Sequence, residues 1–333
     1  MYMLLGICLS LAGWLAIHGC GSLLAAAFWR GVSRACGRLS ASARAQLLFL
    51  LRLAPGLAAL LCVAAFLVPA YVLFEPRNSG EMITLELGMF ALLSLCGLGF
   101  AVWRGFAARR ATRRLVKDWL SHARPLDHPD VTMPAFRFQH PFPVLAIVGA
   151  LRPRLFVAEQ VLRLLSKEEF AAALAHEKGH LAAGDNVKRG LLRACHDTLG
   201  FIPFGRCLDR SWATAAEAAA DEYAARRSAS MALDLASALL KVARVAPQGG
   251  RPAMPAGALL IPGEPGSITA RILRLTQLAT NPESPRRAHP AGWGLALGIC
   301  ISVILAAAML TFAAAHPLTS IHRGIEYVVA VLQ

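Results

Sequence analysis

Four long stretches almost free of charge punctuate the chain, at residues 3–29, 47–74, 83–103 and 290–315. Each meets the roughly 20 apolar residues that a helix needs to cross a hydrocarbon core about 30 Å thick. The pattern predicts four transmembrane helices. The charges between them carry an orientation, because Lys and Arg collect on the cytoplasmic side of a membrane. Arg30, Arg34, Arg38 and Arg44 follow the first stretch with no acid among them. Arg104, Arg109, Arg110, Arg113, Arg114 and Lys117 follow the third. The short segment between the second and third holds Glu75 and Glu81 against Arg77 alone, and Arg286 and Arg287 precede the fourth. An outside N-terminus, three spans, a cytoplasmic domain over residues 104–285, a fourth span and an outside tail over 316–333 satisfy every crossing. The first stretch has no basic start, so it reads as a retained helix and not as a cleaved signal peptide.

Within the cytoplasmic part the pattern changes from continuous apolar runs to shorter periodic ones. Leu126 to Phe142 is rich in Pro and His and reads as irregular. Pro143 to Gly149 and Leu155 to Val157 read as short strands around a turn at Leu151–Arg154. Ala158 to Leu165 reads as a short helix. Ser166 with Glu169 three residues on has the form of a capping box, and opens a helix that stops near Gly184. Asp185 to Leu208 is amphipathic and broken at Pro203, and Leu191 to Phe204 is apolar enough to lie on the membrane or against the spans. Helices are expected at Trp212–Arg227, Leu233–Val245 and Ile268–Leu278, with a Pro/Gly-rich loop over Ala246–Gly266. The expected fold class is a mainly α polytopic membrane protein whose cytoplasmic domain carries a small β-sheet.

Composition agrees with the spans. Of 333 residues 56% are hydrophobic and 16% charged, too apolar for a soluble protein of this length. The formal net charge of +14 raises nucleic-acid binding. However, much of it flanks the apolar stretches and no helix-turn-helix signal accompanies it, so membrane orientation accounts for it and no direct nucleic-acid partner is expected. The eight cysteines form no C-x-x-C pair, which leaves neither a disulfide framework nor a cysteine zinc site.

The chemistry concentrates at His176-Glu177-Lys178-Gly179-His180. Two imidazoles four residues apart share one face of a helix and can reach one ion. Imidazole is a good zinc ligand, and Glu177 stands where it can take a proton from a water beside the metal. A catalytic zinc needs a third protein ligand. An additional His six residues past His180 is ruled out by Ala183 and Asn186. The remaining candidates are Asp185, His196, Asp197, Asp209, Glu217, Asp221, Glu222 and Asp234. Glu217 and Asp221 stand out, four apart on an alanine-lined helix that can pack closely. One carboxylate there can bind zinc, and the other can accept the free N–H of a ligating His. Asp185 is suited to fixing the turn after Gly184 or to bracing a ligand. His196 and Tyr223 are candidates for contacting substrate or an oxyanion.

These residues resemble the BlaR/MecR-type membrane metallopeptidases. The resemblance rests on Val148-Gly149, Arg152-Pro153-Arg154-Leu155-Phe156-Val157, Leu164 to Glu169, Leu174 to His180, Gly184-Asp185-Asn186, and Glu217 with Asp221. Gly184 and Ala220 depart from the family's usual Arg and Cys. The resemblance implies His176, His180 and Glu217 as ligands of one catalytic Zn2+, and Glu177 as general base. It also implies an active site on the cytoplasmic face of a bacterial inner membrane and proteolysis of a regulator, such as a transcriptional repressor, or of the chain itself. The antibiotic sensor domain of the better-known relatives follows their last span. Only His316 to Gln333 follows it here, so direct β-lactam sensing is not expected. The same pattern is shared with membrane proteases of the heat-shock quality-control and prenyl-protein-processing class, the nearest enzymatic alternative. A non-catalytic transducer with a structural zinc is a further alternative, against which Glu177 argues.

Overall fold

A computed structural model describes residues 1–76, 83–129, 131–149, 152–200, 205–245 and 265–280, together with Gly324 and Tyr327. The expected fourth span over 290–315 and most of the tail after it lie outside the described residues, as do nearly all of Ala246–Gly266.

Three helical stretches are long and apolar enough to cross a membrane: Tyr2–Val32, Ala41–Phe74 and Leu85–His122. The first is helix α1. The second is α2 (Ala41–Cys62) and α3 (Val68–Phe74), joined by a π-helical turn at Val63–Leu67. Pro69 sits in the first turn of α3. It has no N–H to offer the preceding turn, and a local π adjustment accommodates such a break. Ser40 caps α2 by accepting the Ala43 N–H at 3.3 Å. The third is α4 (Leu85–His122), whose 38 residues span about 57 Å at 1.5 Å per residue. That is well beyond a bilayer core. The basic segment after Trp103 is therefore a continuation of the same helix, as its Ala, Arg and Leu content favours. Its last turns bring Trp119 into the core of the following domain, against Phe138 and Phe156.

The domain begins with a four-stranded sheet in the order β1-β2-β4-β3. Strands β1 (Arg124–Pro125) and β2 (Ala135–Phe138) are antiparallel, β2 and β4 (Arg154–Ala158) parallel, and β3 (Leu145–Val148) and β4 antiparallel. The expectation of an irregular Leu126–Phe142 is thus corrected: β2 lies inside it. Ala135-Phe136-Arg137-Phe138 is four residues long and does not alternate, so no period marks it among the flanking Pro and His residues. Strand β3 is an edge strand. Its Ile147 turns its peptide groups away from β4, the N–H towards Glu177 at 3.3 Å and the C=O towards Asn186 at 3.2 Å.

Six helices complete the described domain: α5 (Glu159–Leu164), α6 (Lys167–Ala183), α7 (Asp185–Thr198), α8 (Arg206–Ala225), α9 (Ala229–Val245) and α10 (Pro265–Thr280). The capping box of α6 is complete, with Ser166 Oγ on the Glu169 N–H and Glu169 on the Ser166 N–H. Gly184 ends α6 at φ 69°, a left-handed position that favours glycine. Helix α8 begins six residues before the expected Trp212, because Leu208 and Trp212 are both buried against the spans.

Helices α7 and α8 are fastened to the three long apolar helices. Arg104 of α4 meets Asp197 of α7 at 3.2 Å, and Arg52 of α2 meets Asp209 of α8 at 3.1 Å. Trp29 Nε1 of α1 donates to Ser211 Oγ at 3.2 Å. The Ala41 N–H at the start of α2 donates to both carboxylate oxygens of Glu222 at 3.3 Å. Gly97 of α4 lies so close to the Thr198 carbonyl that a side chain there would collide with it. As expected for an apolar segment, the end of α7 lies against the spans.

Candidate metal centre

The capped start of α6 and its buried alanine face seat the helix on the sheet, with Phe170, Ala172, Ala173, Leu174 and Ala175 all in the domain core. That register turns His176, Glu177 and His180 towards α8 and β3. The two rings meet edge to face with centroids 4.8 Å apart. Gly179 lets α8 close in: a Cβ there would lie 3.1 Å from both Ala220 Cα and Tyr223 Cβ. The close approach delivers Glu217.

One ligand atom from each of His176, His180 and Glu217 can be chosen so that all lie within 4.8 Å of one another. His176 Nε2 is 3.6 Å from Glu217 Oε2, and His180 Nε2 is 3.5 Å from Glu217 Oε1. Tetrahedral zinc with bonds of about 2.0–2.2 Å sets its ligands roughly 3.3–3.6 Å apart; each imidazole stands at that distance from one oxygen of Glu217, Oε2 for His176 and Oε1 for His180. The opposite ring nitrogens both face carboxylates. His180 Nδ1 shares a hydrogen bond with Asp185 Oδ2 at 2.7 Å. His176 Nδ1 lies 2.9 Å from Asp221 Oδ1, an ion-pair distance whose geometry falls short of a hydrogen bond. A carboxylate beside Nδ1 favours the proton there and leaves the Nε2 lone pair facing the shared point.

The electrostatics also fit a dication. Glu177, Asp185, Glu217 and Asp221 surround the two imidazoles, and two guanidiniums answer them. Arg189 Nη2 is 3.3 Å from Glu217 Oε1, and Arg271 Nη2 is 2.7 Å from Asp221 Oδ1. Two negative charges are left over when the carboxylates are ionised. Burial opposes protonation of both rings, yet contacts with Asp221 and Glu217 hold His176 above the ordinary imidazole value. Contacts with Asp185 and Glu217 push His180 up to about 10. The surplus negative charge that draws protons to these rings is the charge a divalent ion neutralises. Glu217 Oε2 is buried and, among the described residues, accepts no well-formed hydrogen bond. A buried carboxylate oxygen left in that state is suited to a metal.

Glu177 is 4% exposed, and burial pushes its carboxyl above the usual range. It accepts a hydrogen bond from the Ile147 N–H of the edge strand at 3.3 Å. A carboxylate in that state is readied to accept a proton.

Of the other expected site residues, Asp185 and Asp221 stand on the two imidazoles as described. Tyr223 packs on Gly179. His196 is turned elsewhere, 3.5 Å from Asp209 in the network around Arg52. Arg189 and Arg271 lie outside the sequence reading of the site, and Asn186 enters it through the resemblance alone. Asn186 Nδ2 donates to the carbonyls of Ile147 and Gly149, both at 3.2 Å, and ties α7 to β3. Arg189 lies one helical turn after Asp185, a spacing that places both on one face and could have been used. Arg271 has no local signal: it reaches Asp221 from 50 residues downstream.

The model of peptidase family M48 matches residues 146–245. The matched stretch runs from β3 to the end of α9 and contains His176, Glu177, His180 and Glu217, which supports a metallopeptidase of that family. No curated protein matches the chain.

Proposed function

We propose that this chain is an integral-membrane zinc endopeptidase that hydrolyses a protein substrate beside the cytoplasmic face of a bacterial inner membrane. The observation that carries this is the convergence of His176 Nε2, His180 Nε2 and Glu217 on one point, with Glu177 buried beside it. Zinc held there supplies Lewis acidity and makes water a nucleophile near neutral pH. Asp221 and Asp185 fix the two rings in the ligating orientation. Glu177 takes the proton of the attacking water and returns it to the leaving amine, a role suited by its raised affinity for protons. An extended substrate laid along β3 takes its backbone hydrogen bonds from the edge strand and displaces the Ile147–Glu177 bond.

The membrane layout supports a role in regulated proteolysis or signalling, with a repressor-like regulator or the chain itself as substrate, after the BlaR/MecR-type pattern. Three apolar helices and the basic segments beside them favour a site held on the cytoplasmic side. The test compares N-terminal peptides of membranes and cytosol from cells expressing the wild type and Glu177→Ala. New N-termini confined to the wild type are expected, and they name the substrate. An identical set of termini in the two strains, with zinc bound in both, contradicts proteolysis and leaves a transducer.

A further inference from the structure

Glu217 and Asp221 are held by a side chain that neither the motif nor the M48-matched stretch contains. Arg271 of α10 spreads its guanidinium over both. Nε and Nη2 meet Asp221 Oδ2 and Oδ1 at 3.0 and 2.7 Å, and Nη1 meets Glu217 Oε2 at 3.3 Å. Its side chain is 11% exposed and Asp221 is wholly buried. One turn along, Arg274 pairs with Glu222, whose carboxylate also receives the Ala41 N–H.

We propose that Arg271 is a positioning residue of the metal centre, setting metal affinity and coordination geometry through the two carboxylates without touching substrate. This rests on the zinc-site reading above. The physical reason is the shape of the fork. A planar guanidinium can bind one carboxylate through two nitrogens and still present a third to its neighbour. The bidentate grip fixes Asp221, whose carboxylate lies 2.9 Å from His176 Nδ1 and so bounds where that ring can turn. The third contact is an ion pair outside hydrogen-bond geometry and places positive charge beside Glu217 Oε2. A point charge on a flexible stem cannot make the bidentate grip, so lysine is a poor substitute. Burying Asp221 without its cation would also leave an unpaired charge beside the metal. Helix α10 therefore completes a site whose ligands all come from α6 and α8.

The test uses the full chain purified in detergent. The zinc dissociation constant is measured by chelator competition, and the visible spectrum is recorded after cobalt(II) replaces zinc, for the wild type, Arg271→Lys, Arg271→Gln and Leu275→Ala. Both Arg271 variants are expected to bind zinc about 10–100-fold more weakly, the effect usual for losing a ligand's supporting partner, and to shift the cobalt bands. Leu275 of α10 is buried in the domain core, so Leu275→Ala loosens the same helix one turn away from Arg271 and is expected to keep wild-type affinity and spectrum. Arg271→Lys keeps the charge that docks α10, so it answers the question even where Arg271→Gln fails to fold. Wild-type affinity and spectrum in Arg271→Lys overturn the proposal, as does an equal loss in Leu275→Ala, which makes the effect one of helix docking. A wild type that binds no zinc removes the metallopeptidase reading itself, and this proposal with it.

Discussion

The two halves of the candidate metal centre stand on different foundations. The histidines belong to α6, which rests on the β-sheet and α9 in a core of Phe156, Val157, Phe170, Leu174, Leu235 and Leu239. The carboxylate belongs to α8. The start and middle of that helix lie on the membrane helices, with Leu208, Trp212 and Ala216 packed among Ala26, Trp29, Leu48 and Phe49. Charge sharpens the contrast. The α6 face is apolar apart from the site and the cap, whereas α8 is tied to the spans through Asp209, Ser211 and Glu222. The distance from Glu217 to His176 and His180 therefore reports how the sheet and α6 sit relative to the bundle of long apolar helices. A movement of α2 has a direct mechanical route to Glu217, because α8 is pinned to α2 on both sides of it.

The largest effects come from emptying either half. His180→Ala and Glu217→Ala should each abolish zinc binding and activity, while Glu177→Gln keeps zinc and lowers kcat about 10²–10⁴-fold, the range of general acid–base catalysis. Zinc content and peptidase rate measured together separate the two kinds of loss. Next come the two foundations. Leu174, 1% exposed in the sheet core, and Trp212, 3% exposed on the bundle, should cost about 2–5 kcal/mol each when cut to alanine. Leu174→Ala is expected to lower the melting temperature of the domain. Trp212→Ala is expected to loosen α8 and weaken zinc binding at a temperature where the domain is still folded.

The Arg52–Asp209 pair gives a sharper version of the same contrast. Arg52 is 2% exposed and Asp209 26%, so Arg52→Leu should cost about 3 kcal/mol, the low end for a broken buried pair, because water still reaches Asp209. Zinc affinity should fall with it, and adding Asp209→Leu should restore much of the loss. A double variant no better than the single one would show that the pair does not hold α8.

The smallest effect lies at the cap of α6. Burial alone would raise the Glu169 carboxyl, but hydrogen bonds from Lys241, Ser237 and the Ser166 N–H outweigh it and hold its pKa below the usual value. The lowered value means that this contribution is present above about pH 4.5 and fades as pH falls through the folded-state value. Ser166→Ala should cost about 1 kcal/mol at neutral pH. In acid melts, Lys241→Met should flatten the pH dependence below the ordinary Glu value relative to the wild type, buffers otherwise matched.

What was legible in the sequence follows how far apart the partners are along the chain. The expected fourth span over 290–315 lies outside the described residues, while three helices apolar enough to cross a membrane could be read because apolar length is a local property. So could the α6 cap at Ser166 and Glu169, its stop at Gly184, the pairing of His176 with His180, and the alignment of Glu217 with Asp221, all of them spacings of three or four residues or single-residue signals. Strand β2 was hidden because four residues between prolines carry little periodicity and pair with β4 some twenty positions on. Arg52–Asp209 and Arg271–Asp221 join residues 157 and 50 positions apart, and no local pattern announces them. His196 shows the converse: a His beside an Asp reads as site chemistry, whereas the fold turns it to Asp209 near the spans.

The most direct measurement is zinc per chain in the purified wild type, Glu177→Gln and Glu217→Ala. One zinc in the first two and none in the third is the expected result, because the carboxylate delivered by the bundle-mounted helix completes the site and the buried base beside it does not. Zinc retained at full stoichiometry in Glu217→Ala, or absent from the wild type, would contradict a metal centre divided between the sheet and the membrane helices.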